Sequence, residues 1–141
     1  MTIPKNLLEV SQYTGEGYLP LVDFNSWRVA VLNYIDELLP DRLETMQRHD
    51  ETDEVFVLLQ GHCILFLANG DEMVEEVFAE NLQPLKFYTV KRGCWHTHTL
   101  SKDAAVLIVE NRNTNSENSP KVDLSPAQTG ALVRLTHQLW P

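Results

Sequence analysis

The chain has 141 residues, of which 43% are hydrophobic, and it carries a formal net charge of −9. This length corresponds to one domain that buries enough surface to fold without a disulfide scaffold, and the composition excludes a chain that is disordered throughout. The negative charge argues against nucleic acid, whose phosphates require clustered lysine and arginine, and against binding to an anionic membrane surface.

The number of cysteines and the absence of long apolar runs indicate in which cellular compartment the protein is located. Cys63 and Cys94 are the only cysteines, and two cysteines this far apart do not form a disulfide framework. Residues 1–8 are too short and too polar for a signal peptide, and no apolar run approaches the ~20 residues of a membrane span. We therefore expect a cytoplasmic protein.

The first three quarters of the chain predict β-strands. Residues 1–17 are polar and contain two glycines, so we expect a surface arm. From residue 18 to residue 110 short segments rich in β-branched and aromatic residues alternate with turn residues, which is typical of a barrel or sandwich. Asn69-Gly70 predicts a type I′ hairpin turn. The predicted strands are 18–24, 26–34, 43–49, 54–60, 62–68, 73–78, 86–90, 94–100 and 104–110.

The end of the chain predicts a single helix. Residues 111–124 are polar and read as a linker. Ser125 suits the N-cap and Pro126 the first helical position, so a helix is expected over 125–140, with leucines recurring on one face. The whole chain, 1–141, is therefore expected to form one all-β domain with a C-terminal helix.

Two segments hold nearly all the candidate metal ligands. His49 lies on the same face of its predicted strand as Gln47, and Glu54 opens the next strand after a short polar turn. His96 and His98 are two residues apart, so both face one side of their strand. Two imidazoles and one carboxylate with open positions form a facial triad, which suits Fe(II) and also Mn, Ni or Zn.

These segments resemble the two motifs of the cupin superfamily. The first cupin motif is His-x-His, three or four residues, Glu, six residues and Gly, and this chain has His49, Glu54 and Gly61 at that spacing. The second motif is Pro-x-Gly-x-x-His followed by Asn, and this chain has Gly93 and His96. The resemblance covers about residues 43–110 and implies a double-stranded β-helix, the jelly-roll barrel, with a polar pocket inside.

The chain departs from the family pattern at three positions. Gln47 stands where the family has its first histidine, Lys91 replaces the proline and Leu100 replaces the asparagine. A glutamine binds transition metals only weakly through its carbonyl oxygen, so the departure at residue 47 affects the metal site itself.

The resemblance implies metal-binding roles for three residues, and the chemistry of two neighbouring side chains suggests roles for them as well. His49, Glu54 and His96 would hold a divalent metal ion, one of Fe, Mn, Ni or Zn. Gln47 would contact a ligand or water in the pocket or support His49. His98 would be a fourth ligand or the residue that moves a proton, although a hydrogen-bonded residue of the pocket wall explains it equally well.

Three functions remain open from the sequence. The first is a metal-dependent enzyme acting on a small polar molecule, such as an oxygenase, isomerase or lyase. The second is a non-catalytic module that binds a small ligand. The third is a metal-free isomerase or epimerase of sugar compounds that uses His96 and His98 as acid and base. We also expect a homodimer, because the terminal elements carry apolar residues that a single barrel leaves to be buried.

Overall fold

The computed structural model describes all residues 1–141 and contains ten β-strands and one α-helix. Each strand is short and consists largely of residues that fit a pleated, half-buried surface. The strands are β1 (Tyr18–Phe24), β2 (Trp27–Asn33), β3 (Thr45–Gln47), β4 (Glu54–Gln60), β5 (Cys63–Ala68), β6 (Val77–Asn81), β7 (Phe87–Val90), β8 (Trp95–Leu100), β9 (Ala105–Asn111) and β10 (Lys121–Asp123), and the helix is α1 (Pro126–Leu139).

The strands form two five-stranded antiparallel sheets. The first sheet has the order β1-β2-β9-β4-β7 and the second has the order β10-β3-β8-β5-β6. Their facing sides share one hydrophobic core, to which β4 contributes Phe56 and Leu58, β5 contributes Leu65 and β9 contributes Val106 and Ile108. The predicted all-β jelly-roll architecture with a C-terminal helix is confirmed.

Helix α1 covers the outer side of the second sheet. Strand alternation sends Leu65 of β5 into the barrel and Phe66 outward, where Phe66 joins Trp95 and Leu132 of α1 in a second core. Both sides of β5 are therefore buried, which explains its continuous apolar sequence. The helix begins as predicted, because the side chain of Ser125 accepts from the backbone N–H of Gln128 in a capping box.

The connection between β5 and β6 differs from the predicted two-residue hairpin. The return strand runs over Val77–Asn81 instead of residues 73–78, and residues 69–76 form the connection. The Asn69 carbonyl accepts from Glu75 N and the Asn69 side chain accepts from Glu76 N, so Asn69 closes a wider loop. The hydrogen bonds of Asn69 thus close this longer loop, and Asn69-Gly70 does not form the predicted type I′ turn.

A tenth strand lies inside the segment predicted as a linker. Lys121–Asp123 pairs antiparallel with Thr45–Gln47, where Val122 is opposite Met46. Three residues with one apolar side chain carry no strand pattern, so only the partner strand explains the pairing. The structure contains no helix long and apolar enough to cross a membrane.

Candidate metal centre

Three buried side chains from three parts of the chain meet inside the barrel. Glu54 is the first residue of β4, His96 lies on β8, and His49 follows β3 by two residues. Their ligand atoms all lie within 4.8 Å of one another, and the three residues are 6% exposed or less. Glu54 Oε1 is 3.0 Å from His96 Nε2 and 3.3 Å from His49 Nε2. The structure therefore brings together the three residues that the motif spacing singled out.

Hydrogen bonds on the far side of each ring assign the histidine tautomers. His96 Nδ1 lies 2.9 Å from the carbonyl oxygen of Cys94, which only accepts, so the proton is on Nδ1. His49 Nδ1 lies 2.7 Å from Ser119 Oγ, whose own hydroxyl donates to the Asn118 side chain. Both rings in their neutral form therefore present an unprotonated Nε2 to Glu54, which is how histidine binds a metal.

The charge of Glu54 fits the same arrangement. Burial raises the pKa of this carboxyl, but a proton placed on Nε2 of His49 or His96 would stabilise the carboxylate, and this effect outweighs burial and holds the pKa well below its usual range. His49 Nε2 is buried and has no hydrogen-bond partner. An anionic oxygen beside two nitrogen lone pairs is repelled by them unless a further proton or a cation lies between. The three residues therefore fit a divalent metal ion that accepts both nitrogen and oxygen ligands.

Gln47 and His98 face the same cavity. Gln47 is opposite His96 in the register of β3 and β8, and it lines the cavity together with His49 and His98. Burial lowers the pKa of His98 to about 4, so its ring is neutral at pH 7. His98 Nδ1 is buried without a partner, and the ring lies 5.9 Å from that of Phe56. His98 therefore keeps one ring nitrogen unpaired beside the cavity.

The cavity has a volume of about 510 Å³, and residues of β1, β2 and the loop before β10 contribute to its wall. Its size falls within the roughly 300–1,000 Å³ of small-molecule sites. Lys121 and Arg28 bring positive charge to the wall, although Arg28 already pairs with Asp23 at 2.9 Å. The cavity can therefore hold a small, polar compound next to His49 and Glu54.

Two functional candidates in this cavity escaped the sequence analysis. Glu110 is buried on β9, and its Oε1 accepts a 2.5 Å hydrogen bond from the hydroxyl of Tyr18. Burial and the neighbouring Glu54 raise the pKa of Glu110 to about 8. Ser119 holds the His49 ring from a loop. The alternation of side chains along β9 could have placed Glu110 on the inner face with Val106 and Ile108. No pattern in the sequence pointed to Ser119.

No protein-family model and no curated protein sequence matches this chain. Solved structures do match it in fold. Pac13 from Streptomyces, described as a nucleoside dehydratase and also solved with uridine, is 9–10% identical, with a TM-score of 0.55 over 81% of this chain and 84–85% of its own. CapF, solved with an inhibitor, is 12% identical with a TM-score of 0.56 over 77% of this chain but only 33% of CapF.

A cupin-2 domain protein from Shewanella frigidimarina is 19% identical over 71% of this chain, with a TM-score of 0.47. At these identities the likeness concerns the fold and not the activity. The two facing sheets, the matches to Pac13 and CapF and the motif spacing agree, and this chain has the cupin fold.

Proposed function

We propose that this protein binds a small polar molecule at a divalent metal ion held by His49, Glu54 and His96. One observation carries the proposal: two buried histidine Nε2 atoms, each fixed by a hydrogen bond behind its ring, converge on one anionic carboxylate oxygen. Fe, Mn, Ni and Zn all accept this set of ligands. A bound ion of this kind would polarise a carbonyl or hydroxyl oxygen of the ligand.

The residues around the site would orient the bound molecule. Gln47 offers both an amide donor and an acceptor to the cavity, and His98 offers a ring nitrogen that no protein group uses. Phe56 packs beside both His96 and His98 and keeps their side of the site apolar. A ligand with several hydroxyl or carbonyl oxygens would satisfy these groups, and uridine in Pac13 is such a compound.

Turnover of the ligand is part of the proposal, as an oxygenase, isomerase or lyase reaction in which His98 moves a proton. Two other functions compete with it. A binding module would share the metal and the cavity without changing the ligand, and a metal-free acid–base enzyme would use His96 and His98 alone. Glu54 Oε1 faces the nitrogen lone pairs of His49 and His96 at a buried position. A cation there would offset the repulsion between these electron-rich atoms, which favours a metal site over the metal-free alternative.

A ligand screen separates these functions. Metal-loaded and chelator-treated protein would be compared by thermal shift against nucleosides, sugars and hydroxy acids, with product detection by mass spectrometry. Stabilisation only in the loaded protein supports the proposal, and equal stabilisation in both forms supports the metal-free alternative. Binding without product would assign the binding module. The His98→Gln variant should retain the ligand and lose any turnover.

The proposal includes a homodimer formed through the outer side of the first sheet. Register and alternation place Phe24, Trp27, Val31, Leu107 and Phe87 on that side, away from the barrel interior. Trp27 is 43% exposed and Phe87 is 76% exposed, and no element of the chain covers them. Contiguous exposed apolar surface of this kind typically marks a protein interface. A cytoplasmic location also stays a prediction, which cell fractionation would test.

A further inference from the structure

Lys121 belongs to a row of three residues that crosses the second sheet. The register pairs Lys121 of β10 with Gln47 of β3, and it pairs Gln47 with His96 of β8. Val122 packs with the second core under α1, so alternation directs the neighbouring Lys121 to the barrel side of the sheet. The three residues therefore share one side, and Lys121 stands at the edge of the sheet because β10 is its outermost strand.

This row places the lysine near the proposed metal centre. Neighbouring strands lie about 4.7–4.9 Å apart, so the backbone of Lys121 is roughly 10 Å from that of His96, two strands away. Lys121 lines the same cavity as His49 and Glu54, with Gln47 between. A compound of a few carbon atoms can therefore have one oxygen at the ion and another group at Lys121.

Lys121 is the cation of the cavity wall that has no carboxylate partner. The other cation, Arg28, pairs with Asp23 at 2.9 Å, whereas Lys121 forms no ion pair. Burial and the neighbouring Glu54 raise the pKa of Glu110 to about 8, so Glu110 carries a proton near pH 7. Glu54 balances only half the charge of a divalent ion. The loaded cavity thus has an excess of positive charge, which an anionic ligand would balance.

We propose that Lys121 binds an anionic group, a carboxylate or a phosphate, of a ligand whose other end has an oxygen at the metal ion. This inference rests on the proposed metal site and names the class of its ligand. The lysine ammonium group has three donors and suits the oxygens of either anion. Gln47 lies between the two ends and contacts the middle of the molecule. The ligand is then a short hydroxy acid or a phosphate ester of similar length.

The test compares matched charged and neutral compounds. Zn²⁺ is titrated by calorimetry into metal-stripped protein, and the loaded protein is then titrated with 4-hydroxybutyrate and its amide, and with glycerol phosphate and glycerol. The wild-type protein should bind an anion more tightly than its neutral partner. An ion pair open to water contributes up to about fivefold in affinity, so Lys121→Met should lower this preference about fivefold. Added salt should weaken anion binding more in wild type than in Lys121→Met.

Two further variants control for the charge. Lys121→Arg keeps the positive charge and should keep the preference for the anion. Lys86→Met removes an exposed lysine that does not line the cavity, and it should behave as wild type. Lys121 is exposed, so Lys121→Met should fold, and Lys121→Gln with the same expected loss takes its place if it does not.

The outcomes separate this inference from the proposed function. If the wild-type protein binds no Zn²⁺, the proposed function fails and this inference fails with it. If the metal binds but neither anion is preferred over its neutral partner, only this inference is overturned. An unchanged preference in Lys121→Met would also overturn it, and Lys121 would then only protect the edge of β10 from pairing with another strand. A preference confined to 4-hydroxybutyrate assigns a carboxylate, and one confined to glycerol phosphate assigns a phosphate.

Discussion

The hydrogen bond between Ser119 and His49 gives a sharp prediction, because it fixes a proposed metal ligand from a loop. Ser119 Oγ is 2.7 Å from His49 Nδ1, and both side chains are more than nine-tenths buried. In Ser119→Ala the ring N–H loses its acceptor where water cannot easily replace it. An unsatisfied buried donor costs about 1–3 kcal/mol, so the free energy of unfolding should fall by that amount.

Metal affinity should fall in the same variant. The hydroxyl of Ser119 holds the proton of His49 on Nδ1 and so keeps Nε2 free for a metal. Removal of such a supporting partner weakens metal binding about 10–100-fold, which corresponds to about 1.4–2.7 kcal/mol. A chromogenic chelator competing for Zn²⁺ measures the affinity, and urea denaturation of the metal-stripped protein measures the stability separately.

Ser116→Ala is the matched control for Ser119→Ala. Ser116 lies on the same loop and lines the same cavity, but it is exposed and its hydroxyl makes no hydrogen bond within the protein. Its replacement should leave affinity and stability within error of wild type. If Ser119→Ala binds Zn²⁺ as tightly as wild type and unfolds at the same urea concentration, the argument that Ser119 positions His49 is refuted.

Three further predictions concern stability, thiol reactivity and assembly. Gly61→Ala should lower the free energy of unfolding by more than about 1 kcal/mol, because residue 61 has φ +73° and an added Cβ would lie 2.7 Å from neighbouring backbone. Gly130→Ala, in an open position of α1, should raise it by about 0.5–1 kcal/mol. Burial raises the pKa of Cys63 to about 12 and also raises that of Cys94, so at pH 8 neither thiol of the native protein should react readily with a thiol reagent. Light scattering should give a dimer mass for wild type and a monomer mass for Trp27→Glu.

Each of these predictions has a contradicting result. Equal urea midpoints for Gly61→Ala and Gly130→Ala would contradict the backbone argument. Rapid, stoichiometric labelling of the native protein would show that the thiols are accessible, whereas both should label once urea unfolds the chain. A wild-type monomer, or a Trp27→Glu variant that stays dimeric, would show that the outer side of the first sheet is not the interface.

Local pattern and motif spacing were enough to predict the fold and to single out the three residues that the structure brings together. Alternation along short strands places Gln47 with His49 and His96 with His98, and the motif spacing puts Glu54 at the start of β4. These signals depend only on residues that are close together in the chain, so they can be recognised without the three-dimensional structure.

The remaining parts of the site depend on contacts between distant residues. Strand alternation places Glu110 on the inner face of β9, but a carboxylate near the end of a strand ordinarily lies in solvent. Its buried position includes a hydrogen bond from Tyr18, which is 92 residues away in the chain. Ser119 reaches His49 across 70 residues from a loop with no periodic pattern. Strand β10 is likewise explained only by its pairing with β3. Sequence periodicity contains no information about such pairings.

Elemental analysis of the purified, tag-free protein tests the central claim most directly. We expect close to one equivalent of Fe, Mn, Ni or Zn in wild type, loss of that metal in the His49→Ala, His96→Ala double variant, and retention in His62→Ala, because His62 is an exposed histidine outside the site. The absence of bound metal from the wild-type protein, even after anaerobic reconstitution with Fe(II), would contradict the account and reduce the three residues to a polar wall of the cavity.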